Sequence, residues 1–140
     1  MSMTLWILSK NKMTDGDDTD HSALLAAAER LDPVCDELGV RKLSDFLDWT
    51  DFNANMSEDE EFPSPEELKE LASWFTPNEA LTVLNALRGK LSTAGYPLES
   101  LFEEGERGYS KYLLDELDDC IAKVEEIEAE GDLFHFCVVM

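Results

Sequence analysis

Two short apolar runs at opposite ends of the chain limit the folds that this sequence can adopt. Residues 3–8 read MTLWIL and residues 133–139 read LFHFCVV. Short runs rich in aromatic and β-branched residues predict strands buried on both faces. Because each strand is the simplest partner of the other, we expect them to pair in a small sheet. A two-stranded ribbon is only marginally stable, so helices must cover it or a second copy must extend it.

The sequence between these runs has the periodicity of helices. From Ser22 onward, apolar side chains recur at alternating steps of four and three residues, at Leu24, Ala28, Leu31, Cys35 and Leu38. This spacing places them on one helical face. Pro33 interrupts the pattern and predicts a kink or a new helix start capped by Asp32, and Gly39 ends the run.

Further helix starts are marked by two similar motifs. Ser64–Glu67 and Thr76–Glu79 both read as capping boxes with proline at the first helical position. A longer apolar repeat predicts another helix from about residue 109 to residue 130. The expected fold is therefore α+β and predominantly α, with four to five helices packed around a small sheet formed by the N-terminal and C-terminal strands. We expect residues 1–140 to form a single acidic globular domain.

Net charge is the most unusual property of the composition. Thirty-two acidic residues against eleven Lys and Arg give a formal charge of −21. Direct binding to nucleic acid or to anionic membranes requires clustered basic residues, so neither partner is expected. A basic protein surface, a cationic ligand or a metal ion would be attracted. Alternatively, the acidity only maintains solubility or adapts the protein to salt.

Other sequence features favour a reduced, cytoplasmic setting. Three cysteines occur among apolar neighbours without metal-ligand spacing, as is typical of buried free thiols. The first residues have no basic lead followed by a signal-peptide core, and no stretch approaches the roughly 18 apolar residues of a membrane span.

The acidic residues are concentrated in three places where a partner could bind. One cluster follows the first strand, a second precedes the Ser64 motif, and a third covers residues 99–132. In the third, the carboxylates toward the end of the long helix oppose the helix dipole. Capping and ion pairs explain only part of this surplus. The candidate partner-binding acids are Asp15, Asp17, Asp18, Glu58, Asp59, Glu60, Glu61, Glu125 and Glu126.

An aromatic segment lies between the first two clusters. Acidic residues alternate with Phe46, Trp49 and Phe52, a pattern suited to a basic partner with an apolar centre. We include Trp49 and Phe52 among the candidate partner-binding residues. The alternative is a short helix and loop that pack these rings beneath the core.

No catalytic, cofactor-binding or metal-binding constellation can be identified. The loop from Asp15 lacks the glycine and glutamate that a calcium-binding EF-hand requires at its sixth and twelfth positions. His135 and Cys137 face the same side of the last strand, but two ligands do not make a zinc site. His21 is expected at the surface among carboxylates.

Three functions therefore stay open. The first is a non-enzymatic binding protein that masks a basic partner surface, as an inhibitor, immunity protein or adaptor would. The second is a nucleic-acid mimic that competes for a DNA-binding protein. The third is an enzyme or metal-binding protein without a recognisable motif. A homodimer joined through the terminal strands is also open.

Overall fold

The computed structural model describes residues 3–11, 20–50 and 65–139. Within these ranges the strands are β1 (Thr4–Ser9), β2 (Leu47–Asp48) and β3 (Phe134–Val139). The α-helices are α1 (Ser22–Leu38), α2 (Pro65–Leu71), α3 (Pro77–Leu91) and α4 (Leu113–Ala129). Short 3-10 helices occupy Leu43–Phe46, Leu98–Leu101 and Glu104–Tyr112.

The two ends of the chain form the sheet, as predicted. β1 and β3 pair antiparallel from Thr4 opposite Val139 to Ser9 opposite Phe134. β3 is the central strand, because β2 pairs with it in parallel on its other side. The sequence analysis did not predict β2, which is too short to show an alternating pattern. The homodimer through terminal strands stays a prediction.

The sheet presents one large and one small apolar face. Leu5, Ile7, Phe134 and Phe136 join the main core with buried side chains of α1, α3 and α4. On the opposite face, a smaller cluster consists of Leu8, Cys137 and Val139, with Trp6 packed against it. Every residue of β3 is buried, which confirms the prediction of a strand buried on both faces.

The predominantly helical α+β class is confirmed, but the helix count and several boundaries differ from the prediction. Three long helices, α1, α3 and α4, pack in the described part of the chain, and α2 adds one short helix. The three long helices are slightly fewer than the four to five helices expected around the sheet, and the short α2 is not among them. The last long helix begins at Leu113 rather than near residue 109, because the preceding residues form a 3-10 helix.

The expected helix restart at Asp32 is wrong. Helix α1 continues through Pro33 and ends at Leu38, and Gly39 caps it with a φ of 72°. The Asp32 carboxylate instead accepts hydrogen bonds from the backbone N–H and the hydroxyl of Ser44. Buried side chains on both sides of Pro33, including Leu31 and Val34, hold the helix together where the proline removes one hydrogen bond.

The predicted start of α3 is confirmed, but its capping box is not. Pro77 occupies the first turn, while the Thr76 side chain makes no capping hydrogen bond. Proline already provides a suitable φ and lacks one of the N–H groups that a cap would satisfy. Helix α2 likewise begins at Pro65, as predicted, whereas Ser64 itself lies outside the described residues.

Candidate functional site

Trp49 is a large hydrophobic side chain that the fold leaves accessible. It follows β2 and is 40% exposed. Its neighbour Asp48 is buried and accepts hydrogen bonds from the backbone and hydroxyl of Thr50 and from the backbone N–H of Ser73. Because successive residues of an extended segment point to opposite sides, anchoring Asp48 inward turns Trp49 outward. Phe46 lies in the core instead.

Trp49 borders an open pocket of about 580 Å³. The walls come from Met3 before β1, from α1, from β2 and Trp49, and from the 3-10 helix at Glu104–Tyr112 with the preceding Glu103. Its apolar part is formed by short or partly buried side chains, and its polar part is dominated by glutamates. The pocket is lined by Met3, Ser22, Leu25, Ala26, Ala28, Glu29, Arg30, Leu47, Trp49, Glu103, Gly105, Glu106 and Tyr109.

The electrostatic balance of this pocket is negative. Three glutamates, Glu29, Glu103 and Glu106, are opposed by Arg30, which leaves a net charge of −2. The Arg30 guanidinium lies 3.8 Å from a Glu103 carboxylate oxygen, with 43% of the arginine and 71% of the glutamate side chain exposed. This distance is beyond a hydrogen bond, and an exposed pair of this kind is weak. Most of the Glu103 side chain is therefore exposed at the pocket.

The other sequence-predicted site residues are not brought together with Trp49 in the described part of the chain. Glu125 lines a separate groove of about 560 Å³ between α3 and α4, together with Asn78 and Glu128. Glu126 is exposed on α4. The remaining predicted residues, Asp15, Asp17, Asp18, Phe52, Glu58, Asp59, Glu60 and Glu61, lie outside the described residues.

His21 forms a buried link between three elements, so its predicted surface position is wrong. Only 1% of it is exposed. Its Nε2 lies 2.7 Å from an Asp119 carboxylate oxygen, and its Nδ1 lies 3.1 Å from the Leu5 carbonyl oxygen. Its backbone N–H donates to the Thr4 hydroxyl. With both ring nitrogens engaged, His21 is a structural residue rather than an available base.

Glu116, on α4, accepts hydrogen bonds from backbone N–H groups at the N-terminus of α1. Its carboxylate accepts hydrogen bonds from the backbone N–H groups of Ala23 at 3.3 Å and Leu24 at 3.0 Å. Burial raises the pKa of Glu116, and these two hydrogen bonds oppose the increase. Local sequence spacing gives no indication of this contact, because the helix that Glu116 caps is remote in sequence.

Asp119 is held ionised by the same cluster. Burial would raise the pKa of its carboxyl, but hydrogen bonds from Lys123 and His21 outweigh burial and lower it. The Lys123 ammonium, four residues further along α4, lies 2.7 Å from the carboxylate, as is typical of an i,i+4 ion pair on a helix. His21, Glu116 and Asp119 therefore serve the packing of α1 against α4.

His135 on β3 has its own set of polar and aromatic contacts. The ring is fully buried and stacks on Trp74 at a centroid distance of 4.1 Å. Its Nδ1 lies 3.0 Å from the Ser73 carbonyl oxygen and 3.9 Å from Asp48, and its Nε2 has no hydrogen-bond partner in the described ranges. Burial lowers the pKa of His135 despite the nearby Asp48. A neutral ring donating from Nδ1 explains this geometry.

Within residues 3–11, 20–50 and 65–139, no group of three His, Cys, Asp or Glu side chains could hold a metal ion. None of the helices in those ranges combines the length and apolar character needed to cross a bilayer. Cys35, Cys120 and Cys137 are buried and form no disulfide bond, as expected from their apolar neighbours. Comparisons with protein-family models, curated proteins and solved structures gave no match.

Sequence reasoning selected Trp49 but missed the residues that surround it. Glu29 belongs to α1, whereas Glu103, Glu106 and Tyr109 come from a segment more than fifty residues after Trp49. The only local signal was the density of acids after residue 99. That density does not reveal which carboxylates face an aromatic ring.

Proposed function

We propose that this chain is a non-enzymatic binding protein that masks a basic surface of a partner protein. The observation that carries the proposal is the pocket beside Trp49, where an accessible indole, an apolar wall and three glutamates meet. Aromatic anchors dominate many protein interfaces, and surrounding charges steer the encounter and select the partner.

The electrostatics of the whole chain support the same function. A charge of −21 attracts cationic surfaces and accelerates their association, and this effect weakens as salt screens it. The pocket adds a short-range apolar contact that net charge alone does not provide. Inhibitors, immunity proteins and adaptors with basic targets need both components.

Masking of a basic protein is favoured over nucleic-acid mimicry by the partners of the α4 carboxylates. A mimic would present a continuous row of free carboxylates in place of phosphates. On α4, Asp118 accepts a hydrogen bond of 2.7 Å from Arg88, and Asp119 is paired with Lys123 and His21. These pairs interrupt such a row, whereas the Trp49 pocket combines charge with apolar surface.

The test compares two variants that change the net charge equally. Glu103→Gln/Glu106→Gln removes two charges from the pocket, and Glu125→Gln/Glu126→Gln removes two from α4. Each variant and the wild-type protein would be immobilised to capture proteins from extract at increasing salt. We expect a basic protein to be retained by the wild type and the α4 variant, and lost with the pocket variant and with Trp49→Ala.

The retained protein should dissociate between low and moderate salt, because charge steers and stabilises the complex. Thermal unfolding of every variant would verify that the fold is intact. Identical retention by all variants would show that net charge alone attracts the partner, and would contradict the proposal. Absence of any specific basic protein at every salt concentration would also contradict it.

A further inference from the structure

Arg41 shows how this protein itself holds a guanidinium group. The group lies over the Phe46 ring at 5.0 Å and over the Phe75 ring at 5.4 Å. Its Nε donates to Asp45 at 3.2 Å, and a terminal nitrogen donates to Glu79 at 2.8 Å. The guanidinium thus lies beside two aromatic rings inclined at 73° to each other, while two carboxylates accept from its N–H groups. This combination of contacts suits arginine better than lysine.

The Trp49 pocket contains the same types of group. The Trp49 indole supplies an exposed aromatic surface, and Glu29, Glu103 and Glu106 supply carboxylates. Leu25 and Ala26 provide apolar surface for the methylene stem of a guest side chain. The volume of about 580 Å³ is within the range of roughly 300–1,000 Å³ that ligand pockets span. It therefore accommodates one long side chain with part of its backbone.

Arg30 is the resident cation of this pocket, and it is held loosely. Its guanidinium approaches Glu103 only to 3.8 Å, while Arg41 makes two hydrogen bonds at shorter range. Exposed pairs of this length contribute little, since solvent screens them and both side chains lose freedom. A guest that also stacks on the indole would compete effectively for Glu103.

We infer that the pocket beside Trp49 recognises an arginine side chain of the basic partner, stacked on the indole and hydrogen-bonded to Glu103 and Glu106, with Arg30 displaced. This inference rests on the proposed function and names the side chain that the partner inserts. A lysine would satisfy the charge but not the planar, two-sided contact. The pocket therefore selects arginine rather than positive charge in general.

The experiment uses two blocked tripeptides, acetyl-Gly-Arg-Gly-amide and acetyl-Gly-Lys-Gly-amide, at equal concentration and ionic strength. Binding would be followed by the ¹⁵N–¹H resonance of the Trp49 indole, assigned with the variant Trp49→Phe. We expect a saturable shift of this resonance, with the arginine peptide bound about two- to fivefold more tightly than the lysine peptide. The indole resonances of Trp6 and Trp74 serve as internal controls.

Three variants test the role of the charges. Glu103→Gln/Glu106→Gln should weaken the arginine peptide, whereas Glu125→Gln/Glu126→Gln should leave its affinity unchanged. Arg30→Gln should strengthen binding by about twofold or more, because the resident competitor is removed. Equal affinity for the two peptides, or no shift of the Trp49 resonance up to high peptide concentration, would overturn the inference.

Failure of this inference can be separated from failure of the proposed function. If the pocket variant loses a captured basic protein but the peptides bind equally, the masking function stands and the arginine preference is wrong. If the arginine peptide binds as expected but no protein is captured at any salt concentration, the pocket recognises arginine and the masking function is wrong.

Discussion

Replacing Glu116 with alanine should destabilise the protein by removing the acceptors at the start of α1. The Glu116 carboxylate accepts from the N–H groups of Ala23 and Leu24, both of which belong to fully buried residues. An unsatisfied buried N–H costs about 1–3 kcal/mol. Water can enter the adjoining pocket of about 160 Å³, so the loss should approach that of a helix cap, about 1–2 kcal/mol.

The free energy of unfolding should therefore fall by roughly 2 kcal/mol. For a chain of this length the midpoint of thermal unfolding should decrease by about 6 °C. Urea unfolding followed by circular dichroism at pH 7 measures the free energy, and Glu116→Gln should lie between the wild type and the alanine variant because its amide oxygen still accepts.

Asp115 provides a matched control for this prediction. It precedes Glu116, lines the same small pocket and is exposed. Asp115→Ala removes an equal charge and should change the free energy of unfolding by no more than about 0.5 kcal/mol. Equal losses for Asp115→Ala and Glu116→Ala would refute the reasoning, because the effect would then come from net charge rather than from the two N–H groups.

Three further predictions concern buried groups. Burial lowers the pKa of His135, so the unfolded chain binds a proton first as the pH falls. The free energy of unfolding should therefore decrease below about pH 6.5, by up to roughly 1.4 kcal/mol per pH unit. In urea unfolding at pH 7 and 5.5, His135→Phe, which can still stack on Trp74, should reduce this pH dependence, and an unchanged dependence would contradict the prediction. Burial raises the pKa of Cys120 well above its ordinary value, so Cys120 should react with a chromogenic disulfide reagent only when the protein unfolds. Rapid labelling of Cys120 in the native protein would contradict this prediction. In the same urea assay, Leu84→Ala should lower the free energy of unfolding by about 2–5 kcal/mol. Leu71 is 67% exposed, so Leu71→Ala should change this free energy by no more than about 0.5 kcal/mol. Similar losses for the two variants would refute the assigned core.

Local sequence patterns determined the main elements of the fold. The apolar runs at the chain ends became β1 and β3, because short apolar runs rich in aromatic and β-branched residues favour strands covered on both faces. The alternating steps from Leu24 to Cys35 became the buried face of α1, and Pro77 marked the start of α3. These features depend on neighbours within one or two turns, so the sequence alone contains the necessary information.

Tertiary packing decided how distant polar groups meet. His21 lies in an acidic stretch, yet it is buried because β1 and α4 supply partners for both ring nitrogens. Glu116 caps a helix that begins more than ninety residues earlier in the chain. Neither contact follows from helical or strand periodicity, since each requires the relative placement of two complete elements.

The candidate site likewise depends partly on local sequence pattern and partly on tertiary packing. The aromatic and acidic pattern around residue 49 identified Trp49, and its exposure follows from the inward anchoring of Asp48. The glutamates that share its pocket come from α1 and from the 3-10 helix before α4. Their meeting depends on how α1 packs against that segment, because periodicity specifies which face of an element is buried, while long-range packing specifies which faces become neighbours.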